Sequence, residues 1–138
     1  MPNLYSTDAD DQPMNEAMET ARKTFSKFDS AFESGRYDKT KFSIKVKFPD
    51  EVGNEYIWLT EISKQDGHYS GLMTDTPRIT KQVKIGDKVT IVDKDIKDWL
   101  YGNDSVLHGG YTLRLIRSRM TSKERAENEA SFRYRLVD

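Results

Sequence analysis

Two histidines, His68 and His108, are the side chains of this sequence whose ordinary titration falls near neutrality. Brought together by the fold, they would form an acid–base pair; kept apart, each is an ordinary, partly exposed histidine. Around the first runs Gly67-His68-Tyr69-Ser70-Gly71, which invites comparison with the nucleophile elbow Gly-x-Ser-x-Gly. The serine stands fourth rather than third, and the segment reads as a hairpin arm, not the strand-to-helix turn the elbow requires. His108-Gly109-Gly110 has the look of oxyanion-hole glycines, yet no nucleophile accompanies it, and a glycine pair bending the chain before a strand accounts for it. Asp93, Asp95 and Asp98 cluster as a hard cation would need, but Lys94 and Lys97 interleave with them. Neither the glycine nor the later glutamate of a calcium loop follows, so helix capping by Asp93 or Asp95 is the simpler reading. Glu55 and Glu61 flank Ile57 and Leu59 on one strand face. Paired carboxylates serve glycoside hydrolysis, although salt bridging on a wet rim explains them as well.

Composition narrows the chemistry further. The 138 residues contain no cysteine, which removes disulfides, thiolate catalysis and cysteine zinc sites together. Two histidines alone cannot complete a transition-metal site. Lys and Arg number 22 against 23 Asp and Glu, a formal net charge of −1, whereas a dedicated nucleic-acid binder carries a strongly basic surface. Phe42, Tyr56, Trp58 and Tyr69 could stack bases, and the end of the chain is locally basic through Arg114, Arg117, Arg119, Lys123, Arg125, Arg133 and Arg135. Glu124, Glu127 and Glu129 interleave there, so the segment reads as a charge-laced solvated helix. There is no Gly-x-x-x-x-Gly-Lys and no Gly-x-Gly-x-x-Gly. No apolar run approaches the roughly 18–20 residues of a membrane span, and Met1-Pro2-Asn3 opens no signal peptide. The expectation is a cytoplasmic, single-domain protein without metal or cofactor.

The elements that would position these groups are legible from periodicity. Residues 1–12 hold Asp8, Asp10 and Asp11 and little that packs, and read as a flexible acidic leader to one domain over 13–138. From Pro13, the residues Met14, Ala17, Met18, Ala21, Phe25, Phe28 and Phe32 lay one apolar stripe along a helix of about six turns. Glu19 can pair with Lys23, and Gly35 stops the helix. Phe42, Ile44, Val46 and Phe48 alternate with polar residues as a strand. Residues 49–54 form a polar loop, 55–62 the next strand, Gln65-Asp66-Gly67 a hairpin turn and 68–73 the returning strand. Residues 87–92 form another strand, 93–101 a helical turn or two packing Ile96, Trp99 and Leu100, and 110–117 a strand through Tyr111, Leu113 and Leu115. Thr121-x-x-Glu124 is a capping box for a short C-terminal helix running toward Arg133. The expected fold is α+β: a long N-terminal amphipathic helix packed on a strongly bent, mostly antiparallel sheet of about five strands, with a short C-terminal helix.

Several blocks in this order carry a resemblance. They are Met14-Asn15-x-Ala17-Met18, Lys45-Val46-Lys47-Phe48-Pro49-Asp50, Glu55-Tyr56-Ile57-Trp58-Leu59 and Lys84-Ile85-Gly86-Asp87-Lys88-Val89. Ile96-Lys97-Asp98-Trp99-Leu100-Tyr101, Gly109-Gly110-Tyr111-Thr112-Leu113-Arg114 and Ser122-Lys123-Glu124-Arg125-Ala126 follow. Over residues 8–138 the chain resembles the YegJ-like family of bacterial domains of unknown function. The resemblance implies a small α+β protein and supplies no catalytic residue. Small domains of this look occur as immunity proteins beside bacterial polymorphic toxins, an analogy at family level. The expectation drawn from both lines is a non-enzymatic protein-binding domain, an immunity protein that neutralises a cognate toxin by covering its active site. Its partner-contacting residues are expected among Asp50, Glu51, His68, Tyr69, Asp93, Asp95, Asp98, Tyr101, Asp104 and His108. A small enzyme or ligand binder using His68 and His108, and an RNA- or ribosome-binding module, are the alternatives.

Overall fold

The computed structural model describes residues 11–103, 105–131 and 135–136. The expected leader shortens at once, because Asp11 caps the first helix, its carboxylate accepting the Met14 N–H at 3.2 Å. Arg119 grips the same carboxylate through both terminal guanidinium nitrogens, at 2.7 and 2.8 Å. Residues 1–10 of the expected leader lie outside the described residues.

The six-turn helix is two helices, α1 (Gln12–Lys23) and α2 (Phe25–Ser34). Its break at Thr24 has a visible cause. The Trp99 indole N–H donates to the Ala21 carbonyl at 3.0 Å, taking the acceptor that an unbroken helix would offer the Phe25 N–H. The Thr24 hydroxyl donates back to the Thr20 carbonyl at 2.7 Å, a local bond that competes with the helical ladder. The apolar stripe survives the break. Phe28 meets Phe42, Tyr69 and Trp99 edge to face, and Phe32 meets Phe42 and Tyr69 the same way. Gly35, at φ 69°, ends α2 as expected, and Glu19 pairs with Lys23 at 3.7 Å.

After a short 3-10 turn (Lys39–Lys41) come β1 (Phe42–Pro49), β2 (Asn54–Gln65), β3 (His68–Leu72) and β4 (Lys88–Thr90). A second 3-10 turn (Asp93–Asp95) leads to β5 (Ile96–Asn103) and β6 (Val106–Gly109), then α3 (Tyr111–Ser118), α4 (Ser122–Ser131) and β7 (Arg135–Leu136). The sheet order is β4-β3-β2-β1-β5-β6-β7. The first six strands pair antiparallel, and the two-residue β7 adds in parallel to β6. Register shifts interrupt β2–β3 between Thr60 and Ser63 and β1–β5 at Lys45/Val46, and Glu61 takes φ 47° at the first of them. Bulges of this kind bend a strand and raise its twist. The Asp66–Gly67 turn, with both residues at positive φ, joins β2 to β3.

Two expected elements change type. Residues 96–103 form a strand, not helical turns. The register shift leaves Lys97 unpaired between Ile96 and Asp98, so the core-facing Ile96 and Trp99 stand three apart and imitate a helical step. Helix capping by Asp93 or Asp95 falls with it, since the 3-10 turn they open has no side-chain cap. Residues 111–118 form a helix, not a strand, because β5 supplies the N-terminal cap that the local sequence lacks: Asp98 accepts the Tyr111 and Thr112 N–H groups. Gly109 precedes it at φ 77°, where an added Cβ would lie 2.4 Å from the Trp99 carbonyl oxygen. The capping box opens α4 as expected, with Thr121 N–H to Glu124 at 3.0 Å and Glu124 N–H to Thr121 at 3.1 Å. Arg133 lies outside the described residues.

Candidate functional site

Asp98 was expected at the surface and is 0% exposed. Its Oδ1 accepts the Trp99 N–H at 2.8 Å and the Tyr111 N–H at 3.2 Å. Its Oδ2 accepts the Thr112 N–H at 2.8 Å and the Thr112 hydroxyl at 2.5 Å. Burial raises the carboxyl above its usual range, against the pull of these donors and of Lys45. Lys45, also buried, donates to the Thr112 hydroxyl at 3.3 Å, its ammonium 5.9 Å from the ring centres of both Tyr56 and Trp58. Burial depresses its pKa, opposed by Asp98. The group locks β1, β5 and α3 together and leaves no Asp98 lone pair facing water.

Tyr69 and Tyr101 are core residues too. Tyr69 donates to Asp29 of α2 at 2.5 Å, and Lys64 donates to Asp29 at 2.8 Å and Glu33 at 2.7 Å, tying the β2–β3 hairpin to α2. The Lys64 and Tyr69 donors hold the Asp29 carboxyl below its usual range, while burial and Asp29 push the Tyr69 phenol up. Tyr101 stacks on Phe42 at 5.0 Å and on His108 at 4.6 Å. Burial, with Arg114 nearby, depresses the His108 pKa. His68 is exposed at the start of β3. The structure does not bring the histidines together: β2, β1 and β5 separate their strands, about 19 Å across four interstrand spacings.

The remaining residues divide between two places. Asp93 helps line an open cleft of about 390 Å³ with Arg22, Phe25, Asp29, Lys64 and Tyr69, and Asp95 sits half-exposed in the same 3-10 turn. Asp104 lies outside the described residues. Asp50 and Glu51 form the β1–β2 turn, where Asp50 accepts the Val52 N–H at 3.1 Å through its carboxylate and the Gly53 N–H at 3.1 Å through its carbonyl.

That turn has a neighbour the sequence did not announce. Residues 73–87 connect two adjacent antiparallel strands, for which two to five residues suffice. The loop closes at its neck, Met73 N–H to Asp87 carbonyl at 2.8 Å and Gly86 N–H to Met73 carbonyl at 2.7 Å. Such an omega-shaped loop, with its ends together, is packed by its own residues and often functional. Glu55 holds its middle, accepting the N–H groups of Arg78 and Ile79 at 2.8 Å and of Thr80 at 2.9 Å. Burial opposes ionisation there, yet the three donors keep the Glu55 carboxyl below its ordinary value. The Gln82 amide donates to the Pro49 carbonyl, so loop and turn form one body. Val52 is 86% exposed, Ile79 38% and Ile85 56%; of the large apolar residues exposed among the described ones, just Val92 lies elsewhere. Sequence reading placed Glu55 on a salt-bridging rim, because nothing local points to donors more than twenty residues away.

Fold and surface together define a small α+β domain: a bulged, mostly antiparallel sheet, four helices and a pinned loop–turn pair. No group of three or more metal-ligating side chains occurs among the described residues, and no helix among them is long and apolar enough to cross a membrane. Over residues 11–133 the chain matches the family described as "Uncharacterized protein conserved in bacteria (DUF2314)", and it belongs to that family. It is 32% identical over 104 residues to "Uncharacterized protein YegJ" of Escherichia coli strain K12, covering 75% of this chain and 67% of that one. It is 30% identical over 137 residues to a "Putative ankyrin repeat protein" of Neisseria meningitidis serogroup B, covering 94% of this chain. The matched region spans about half of that relative, 54% of its length. No solved structure matches the chain.

Proposed function

We propose that this chain is a non-enzymatic protein-binding domain, an immunity protein that neutralises a bacterial toxin by occupying the surface over its active site. The observation that carries the reading is that Val52, Ile79 and Ile85 are exposed on a loop and turn tied together by Glu55 and Gln82. Exposed apolar side chains on a preorganised surface lose little freedom when a partner covers them. The most chemically suggestive polar groups support the same reading from the other side. Asp98, Lys45, Tyr69 and Glu55 are each engaged with partners inside the chain. One relative bears the name of an ankyrin repeat protein, and repeats of that kind present extended binding surfaces. A domain that works by contact fits such company.

The test is co-expression with a toxin encoded beside its gene. Protection of cells, together with a one-to-one complex on gel filtration, is the expected result. Toxicity undiminished at matched expression, with no complex formed, overturns the reading.

A further inference from the structure

Resting on that reading, we infer that the omega loop and the β1–β2 turn form a docking face of two signs, for a protein surface whose charge is divided in the same way. The loop displays Arg78, Lys81 and Lys84, all exposed, with Lys88 just beyond its neck. Of its acids, Asp75 is exposed, whereas Asp87 turns its carboxylate onto the Lys84 N–H at 2.9 Å. The turn displays Glu51, exposed, and Asp50, half-buried with its carboxylate accepting the Val52 N–H, and it carries no base. The exposed apolar residues are Val52 on the turn and Ile79 on the loop, whose backbones the Glu55 and Gln82 bonds tie together, with Ile85 further along the loop.

A structural duty does not account for this outer side. The loop leaves β3 at Leu72, opposite Thr60, and its middle reaches Glu55 before it returns to the neck, so it runs along the N-terminal half of β2 that β3 does not pair. Shielding that edge uses the backbone and the side chains turned inward. It does not call for isoleucines turned to water. Uniform polyanions fit poorly as well. An anionic bilayer or a nucleic acid would attract the loop and repel Asp50 and Glu51 on the adjoining turn, which the Gln82–Pro49 hydrogen bond ties to it. A folded protein can set an acidic group against Arg78, Lys81 and Lys84, a basic group against the turn, and an apolar contact between them. The occupant is therefore a protein with adjoining acidic and basic patches.

The experiment uses the complex with the neighbouring toxin and measures Kd by calorimetry at low and high salt. Wild type is compared with Lys81→Glu/Lys84→Glu, Glu51→Lys and Ile79→Ser/Ile85→Ser, with Lys27→Glu on α2 as control. All these side chains except Ile79 and Ile85 are charged and exposed, and thermal melting confirms that each variant folds. Each face variant is expected to bind about tenfold or more weakly, the control within about twofold, and wild-type affinity to fall with salt. A complex unaffected by the face variants overturns this surface and leaves the binding reading standing. Absence of any wild-type complex removes both. Vesicles of anionic phospholipid and duplex DNA serve as further probes: wild-type binding to either, abolished by Lys81→Glu/Lys84→Glu, would assign the loop to a polyanion and overturn the proposal, and no binding to either supports it.

Discussion

Asp98 and Glu55 are carboxylates that act as connectors. Asp98 gathers four donors from β5 and α3 beside Lys45, in a site closed to water. Asp98→Asn keeps the shape but replaces one acceptor oxygen with a donor, facing either the Thr112 pair or the Trp99 and Tyr111 N–H groups. Lys45 then loses its counter-charge in the interior. A loss of about 2–4 kcal/mol in unfolding free energy is expected from the unpaired groups, read as a lower urea midpoint. A shift under about 0.5 kcal/mol would show that the cap contributes little. None of this was legible from residues 93–98, because a carboxylate that caps its own helix and one that caps a helix thirteen residues later look alike in sequence.

At the scale of elements, what could be read was what obeyed a local period. The stripe from Met14 to Phe32, the alternation of β1, the Asp66–Gly67 turn and the Thr121–Glu124 box all form where local spacing placed them. What escaped depended on distant partners. Trp99 takes the Ala21 carbonyl and splits one helix into two; an unpaired residue at Lys97 disguises a strand as a helix; Asp98 makes a helix of an alternating segment. The candidate surface was half legible. The 49–55 turn drew notice through Asp50 and Glu51, but its union with the omega loop rests on Glu55 accepting three remote N–H groups. Glu55→Gln leaves one acceptor oxygen where two served. Amide exchange at residues 78–80 is expected to accelerate by about tenfold or more while the β1 amides keep their protection. Equal rates in variant and wild type would mean that the loop is held by other contacts.

For the molecule as a whole, charge couples folding to acidity. The Arg119 hydrogen bonds hold Asp11, and those of Lys64 and Tyr69 hold Asp29, below the range of a free carboxyl. A lowered folded value gives stability that is fully present above the unfolded value, near pH 4, and lost as pH falls through the folded one. Asp98, shifted upward, acts in the opposite sense and offsets part of that loss. Unfolding midpoints are therefore expected to drop from pH 5 to pH 2, and Asp29→Asn to shrink the drop while lowering stability at pH 7. An unchanged acid limb in that variant would refute the linkage. The sheet order sets one more property, the sequence in which the chain assembles. β1 meets β2 across a turn of a few residues, but its other neighbour, β5, arrives roughly fifty residues later. The first hairpin can nucleate alone; the second seam waits on closure of a long segment, so the slow step of folding is expected at the docking of β5 against β1.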